Sequence, residues 1–286
     1  MRKTPLIDKW ASRRADKLFV PAFIALALSF SSKSYAADSI VSRSKIIENS
    51  MMVGIGATDI LDTYLSQEKY KGTEVRFISH TTRSRENSNW SQLAIHQGYA
   101  AIADNRSGNG GEIEGMYNFQ FGCLYNWKLC QNRLSIAAGA TADALAGFLY
   151  NHHGGNNPAQ ARLQLNITPT ARASWQSHIS KIPVKATYEV GIPLIGLMFS
   201  PNYGQSYYEI FSRGDYDHNV VVTTPFCSPS IRQMLTLDAT FGKTTLRIGY
   251  LNDVRQADVN NLKWHSYTHS VIIGITRKFQ ITKLRP

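Results

Sequence analysis

The stretch Gln160–Trp175, QARLQLNITPTARASW, decides the fold of this chain. Taken in alternation, Ala161, Leu163, Leu165, Ile167, Pro169, Ala171, Ala173 and Trp175 are apolar, while Gln160, Arg162, Gln164, Asn166, Thr168, Thr170, Arg172 and Ser174 are polar. A β-strand turns successive side chains to opposite faces, so this segment has one wholly apolar and one wholly polar face. The pattern runs for sixteen residues, whereas strands of soluble proteins commonly stop at about 5–6. A strand tilted through a bilayer needs about 9–11.

The same alternation recurs on either side. Ile113, Gly115, Tyr117, Phe119, Phe121, Cys123, Tyr125 and Trp127 oppose Glu114, Asn118, Gln120 and Asn126. Similar patterns run over 134–150, 184–194, 231–241 and 246–255. A last one runs from Lys263 to Phe279, with His265, His269 and Arg277 interrupting its apolar face. Weaker patterns lie near 50–64, 72–82 and 90–103. Ten strands result, the even number a bacterial barrel requires. The predicted fold is therefore all-β, an antiparallel up-and-down transmembrane β-barrel of about ten strands, spanning residues 37–286 as one domain. The rival fold is a secreted soluble β-sandwich or lipocalin-like barrel, which would bury the apolar face and solvate the polar one.

Ahead of this region stands an export signal. Arg2, Lys3, Lys9, Arg13, Arg14 and Lys17 precede the apolar run Leu18–Phe30, and Ser34-Tyr35-Ala36 offers a small-residue cleavage site, so residues 1–36 are read as a signal peptide. The formal charge of +11 shrinks without them, because 24 Lys and Arg then face 18 Asp and Glu. No case for nucleic-acid binding is left. Only 18% of residues are charged and the mean hydropathy is −0.24. Beyond the N-terminus no run reaches the roughly 20 apolar residues that a membrane helix needs. Cys123, Cys130 and Cys227 make neither a disulfide framework nor a metal knuckle.

Connection lengths orient the barrel. If the N-terminus starts in the periplasm, the periplasmic turns are about 83–89, 128–132, 176–182 and Gly242-Lys243. The outer side receives 66–71, 105–111, 151–158, the long 199–228 and 257–262. Short turns inside and long loops outside are the rule for outer-membrane barrels. Aromatic residues fall where belts form: Trp127, Trp175, Phe241 and Phe279 at one end, Phe148, Tyr150, Tyr250 and Tyr267 toward the other.

Inside such a barrel the polar face points into the lumen. Arg76, Arg162, Arg172, Lys185, Arg232, Arg247 and Arg255 are matched there by Glu74, Glu112, Glu114, Asp143, Glu189, Asp238 and Asp253. A narrow barrel has room mainly for side chains and buried charges must pair, so a salt-bridged plug is expected rather than a general porin.

Chemistry, if there is any, belongs to the outer loops. His152, His153, Asn156 and Asn157 sit in one polar loop, Tyr203, Tyr207, Asp215, Asp217 and His218 in the other. His152 or His153 suit a metal or ligand contact, and Asp215, Asp217 and His218 could supply an acid–base set or hold a cation. His265-Ser266 and His269-Ser270 are not nucleophile–base pairs, because adjacent strand residues point to opposite faces. The sequence shows no G-x-S-x-G elbow, Walker loop, H-E-x-x-H or dinucleotide fingerprint.

The words NNPAQA (Asn156–Ala161), FSPNYGQSYYEIF (Phe199–Phe211) and YDHN (Tyr216–Asn219), with the final strand ending at Phe279, resemble a family of Gram-negative outer-membrane barrel proteins of unknown function. The resemblance covers about 58–279. It implies the architecture and the cell outer membrane as location, and it carries no catalytic residues. The expected function is a structural or binding role at the cell surface, with outer-membrane lipid and the barrel-assembly machinery as partners and no cofactor. The alternative is an outer-membrane lipid or peptide hydrolase using the two loops.

Overall fold

The computed structural model describes residues 44–153, 157–242 and 244–282. The signal peptide expected at 1–36 and the candidate Asn156 lie outside the described residues. The elements are β1 (Ser44–Asp62), β2 (Lys69–Arg85), β3 (Trp90–Asn105), β4 (Gly111–Leu129), β5 (Leu134–Asn151) and β6 (Ala159–Ile179). After them come β7 (Ile182–Gly191), β8 (Ile195–Phe199), the helical turn α1 (Tyr207–Phe211), β9 (Val220–Thr223), β10 (Ile231–Phe241), β11 (Thr244–Val259) and β12 (Leu262–Thr282).

All pairings are antiparallel, and β1 pairs with β12 from Ser44–Thr282 to Asp62–Trp264, which closes the ring. β7 and β8 lie end to end along β6, and β9 and β10 lie end to end beyond them. Twelve segments thus build ten strands, two of them broken. Following paired residues once around the barrel leads from Ala161 through Phe148, Gly115, Ala100, Val75, Ile55, Val271, Tyr250, Leu235 and Tyr188 to Ala173. The return is offset by twelve residues. At about 3.3 Å per residue and ten spacings of about 4.8 Å, that stagger tilts the strands by about 40°.

The apolar faces point outward. Ile55, Val75, Ile102, Ile248, Val271 and Ile273 are each more than half exposed on the outer wall, and Leu163, Leu165, Ile167, Leu237 and Tyr250 are exposed beside them. Trp90, Trp127, Trp175, Phe241 and Phe279 ring the short-turn end; Tyr117, Phe148, Tyr150 and Tyr250 stand nearer the other. A soluble β fold would bury this face, and the rival reading fails on it. An apolar belt, interrupted by His96 and by the Asn252–His269 pair, around a hydrogen-bonded cylinder is the architecture of a β-barrel bilayer span.

Boundaries differ from the sequence reading mainly at the long-loop end. The connection placed at 257–262 shrinks to Asn260-Asn261, whose φ of +52° and +59° make a two-residue hairpin turn. The 199–228 segment, read as one long loop, contains α1 and β9. The lumen is also less uniformly polar than the sequence implied. Met52, Ile78, Leu93, Ile95, Leu124, Ala137, Met234, Leu251 and Ile272 form one buried apolar layer within it.

Candidate functional site

The lumen is filled by three tiers of ionisable and polar side chains, because each strand contributes its polar face inward. Nearest the short turns, Lys185 Nζ donates to Glu48 Oε1 (2.7 Å), and Arg247 makes a two-point contact with Asp238 (2.5 and 2.7 Å). In the middle, Arg76 forks onto Glu74 (2.9 and 2.7 Å) and reaches Asp253 Oδ2 (3.2 Å) and Thr268 Oγ1 (2.8 Å). Its guanidinium lies 4.2 Å from the centre of the Tyr99 ring. Around it, Arg255 donates to Asp253 (3.1 Å), Arg232 to Glu189 (3.2 Å), and His80 Nε2 lies 3.0 Å from the same glutamate. Toward the loops, Arg162 pairs with Asp62 (2.7 Å) and stacks over Trp264, while Asn151 donates to Glu112 (3.1 Å) and Ser266 to Glu114 (2.8 Å).

All fourteen lumenal charges read from the sequence point inward; Arg172 and Lys185 stay half-buried. Glu48, Asp62 and His80 join them and were missed. They sit on β1 and β2, where the alternation is weak because Met52, Gly54, Gly56 and Ile60 share the inner face of β1 with its polar residues, and Thr73, Ser79 and Thr81 stand on the outer face of β2. Bidentate arginine–carboxylate contacts fix geometry, so the plug is rigid, and with Glu48 and Asp62 counted nine carboxyl groups face seven Arg and Lys.

A lid closes the long-loop end. Ser206 caps α1: its hydroxyl accepts from Glu209 N (3.3 Å), and Ser206 N donates to Glu209 Oε2 (2.7 Å). This capping box is legible as Ser206-Tyr207-Tyr208-Glu209, and the two Ser206 contacts hold the Glu209 carboxyl below its usual range. Tyr207 accepts from Ala161 N and donates to Gln160 Oε1 (both 2.7 Å), and its ring meets Tyr64 edge-on. Tyr64 donates to Gln205 O (3.1 Å); burial, with Tyr207 and Asp62 nearby, pushes its phenol up to about 12. Buried Asn219 ties Gln205 (2.7 Å) to Ser200 O (3.2 Å), and Asn260 reaches Ser200 O (3.1 Å) and His218 O (3.0 Å).

The candidate loop residues divide accordingly. Tyr207 is an anchor of the lid, and Tyr203 is exposed, its backbone N–H held by Asn260 O (3.3 Å). Asp217 and His218 pair with each other but stand in solvent, as Asp215 does. His152, His153 and Asn157 are exposed; the His152 ring lies 5.7 Å from that of Tyr150. Among the described residues no hydrogen bond or ion pair joins the two loops, and no group of His, Cys, Asp or Glu is placed to hold a metal. His265 and His269 face outward toward Asp59 and Tyr250, while Ser266 and Ser270 face inward onto Glu114 and Glu74.

The sequence profile described as "Protein of unknown function (DUF3316)" matches residues 21–286. Among curated proteins, none matches the chain in sequence. Among solved structures, the chain is similar to the outer membrane protease OmpT of Escherichia coli, with 7% identity and a TM-score of 0.41 over 87% of this chain and 100% of that one. It is also similar to the transport unit of the E. coli autotransporter AIDA-I (8%, 0.44, 91% and 97%) and to the translocator domain of NalP from Neisseria meningitidis (9%, 0.35, 95% and 98%). Identities this low transfer no residue roles.

Proposed function

Because this chain belongs to the DUF3316 family and forms an outer-membrane β-barrel with a charged interior, we propose that it is an impermeable surface scaffold with a structural or binding role. The observation that carries this reading is the tiered plug. Arg76 reaches Asp253, His80 reaches Glu189, Lys185 reaches Glu48 and Arg232 reaches Gln97, each across the lumen from a non-adjacent strand, and two cavities have about 20 and 10 Å³ of room for water. That is roughly one or two molecules each. The long-loop rim then faces the exterior, as short turns and long loops are arranged in such barrels. Outer-membrane lipid surrounds the belt, and the barrel-assembly machinery is the partner expected for its insertion.

The hydrolase alternative draws on loop residues of which the geometry joins only Asp217 and His218, in open solvent over no cleft. No specific contact favours it. Purified protein added to planar lipid bilayers tests the scaffold reading. It should give no stepwise conductance, while Arg76→Ala, which removes the central bridge, should give transient steps. Stable ohmic steps from the wild-type barrel would mean that the plug leaves a channel.

A further inference from the structure

The wall is sealed by hydrogen-bonded ladders except where β7 gives way to β8 and β9 to β10. On the β6 side the break is bridged, since Ile192 N donates to Pro169 O (3.1 Å) and Leu194 N to Ile167 O (2.9 Å). On the other side β10 follows β7 only to the Arg232–Gly191 pair, and β9 follows β8 from Thr223–Gly196. Residues 224–230 therefore oppose only 192–195, and they form a bow along β11 in which Cys227 packs inward on the Met198, Ala257 and Trp264 cluster. They are held instead by β11: Ser228 Oγ donates to Gln256 O, Gln256 Nε2 to Pro229 O and Asp258 N to Cys227 O, each at 2.8 Å. Pro193 has no N–H to offer across the gap.

The larger cavity lies in this break, and its lining crosses the wall. Pro193, Ser230, Ile231 and Val254 form its rim, Asp143 and Arg255 its lumenal side. About 20 Å³ of room for water admits one small polar group. The charges behind the rim are unequal. Arg232 is engaged by Glu189, and Arg255 by Asp253, which also holds Arg76. Asp143 accepts from the amides of Asn118 and Gln120 (3.3 Å for the latter) and has no ion-pair partner among the described residues. Outside, the lip is apolar: Ile192 and Leu194 are exposed, and Phe226 at the tip of the bow is 98% exposed.

We propose that this window binds a membrane-dissolved amphiphile with a primary ammonium head, which enters the gap to meet Asp143 while the tail lies against Ile192, Leu194 and Phe226. A carboxylate–ammonium contact shielded from water is about twice as strong as a neutral hydrogen bond. A sulfate or phosphate head would meet the surplus negative charge and be refused. The site does not depend on whether the lumen conducts.

Photo-crosslinking tests it on the full barrel in lipid nanodiscs, with a long-chain alkylamine carrying a diazirine in its tail and adducts mapped by mass spectrometry. Adducts should concentrate on 190–195 and 224–231, and unlabelled alkylamine should displace them where alkyl sulfate of equal length does not. Asp143→Asn should lower labelling by about tenfold, as for a loss of about 1.4 kcal/mol. Ser230→Trp, which fills the gap from the rim, should lower it without touching the lumen. Folding of both variants is checked by the gel shift between unboiled and boiled samples. Adducts spread evenly around the belt, equal labelling by amine and sulfate, or unchanged labelling of Asp143→Asn would each overturn the proposal.

Discussion

The β5–β6 hairpin and the broken pair beside it share one wall and follow different rules. β5 and β6 stay in unbroken register from Leu134–Trp175 to Tyr150–Ala159. Their neighbours keep an apolar outer face through Tyr188, Ile192 and Leu194, yet their ladder is cut at 192–194 and 224–230. The difference teaches what the bilayer demands. It demands apolar side chains outward and a partner for each backbone polar group. It does not demand that the partner be the next strand. Where Ser228, Gln256 and Asn260 supply partners, a strand can stop and restart, and the freed chain becomes a lid.

The comparison can be pressed from the inside first. Removing Arg76, which binds two carboxylates and a hydroxyl in the unbroken half, should cost the barrel about 3–5 kcal/mol, because Glu74 and Asp253 are left buried without their bridge. Urea unfolding of the refolded protein in lipid vesicles measures it. A loss below about 1 kcal/mol would show that the plug contributes little to holding the wall. The outer face comes next. Ile167→Arg on β6 lies within the apolar belt and should cost about 2–4 kcal/mol, whereas Val222→Arg on β9, several residues nearer the long-loop rim, should cost about 0–1. Equal costs would place β9 in the hydrocarbon and erase the distinction between the two halves. The smallest effect belongs to the lid. Ser206→Ala removes the cap of α1 and should cost about 1 kcal/mol locally. The expected result is faster proteolytic cleavage near 206–216 with an unchanged boiled-against-unboiled gel shift.

Legibility follows the same division. Gln160–Trp175 announces β6 because one face meets lipid and the other meets ions, so each position has a chemical assignment. β1 is harder to read: Gly54 and Gly56 stand among its residues, and the alternation around Glu48 and Asp62 is thin. The lid had no period to find. Its order rests on single contacts, such as Asn219 to Gln205 and Asn260 to Ser200, between residues far apart in the chain. Tyr207 stands out in the sequence by residue type alone, and its role rests on Ala161 and Gln160, which lie on a strand across the rim. The candidate acids and histidines stand out in the sequence only as chemistry-bearing residues in loops, and local sequence carries no signal of whether the fold converges them.

The seam between β1 and β12 sets an order in time. It joins Ser44 to Thr282 and Lys263 to Thr63, so the first strand made waits for the last. Until the ribosome has finished residue 282 no ring exists, and the nine strands already made show neighbours an apolar face and an ionised one at once. Long-range closure of this kind is slow. Such a chain must cross an aqueous compartment as an open, sticky sheet or as no sheet at all, and its completion is an event of the membrane and not of synthesis.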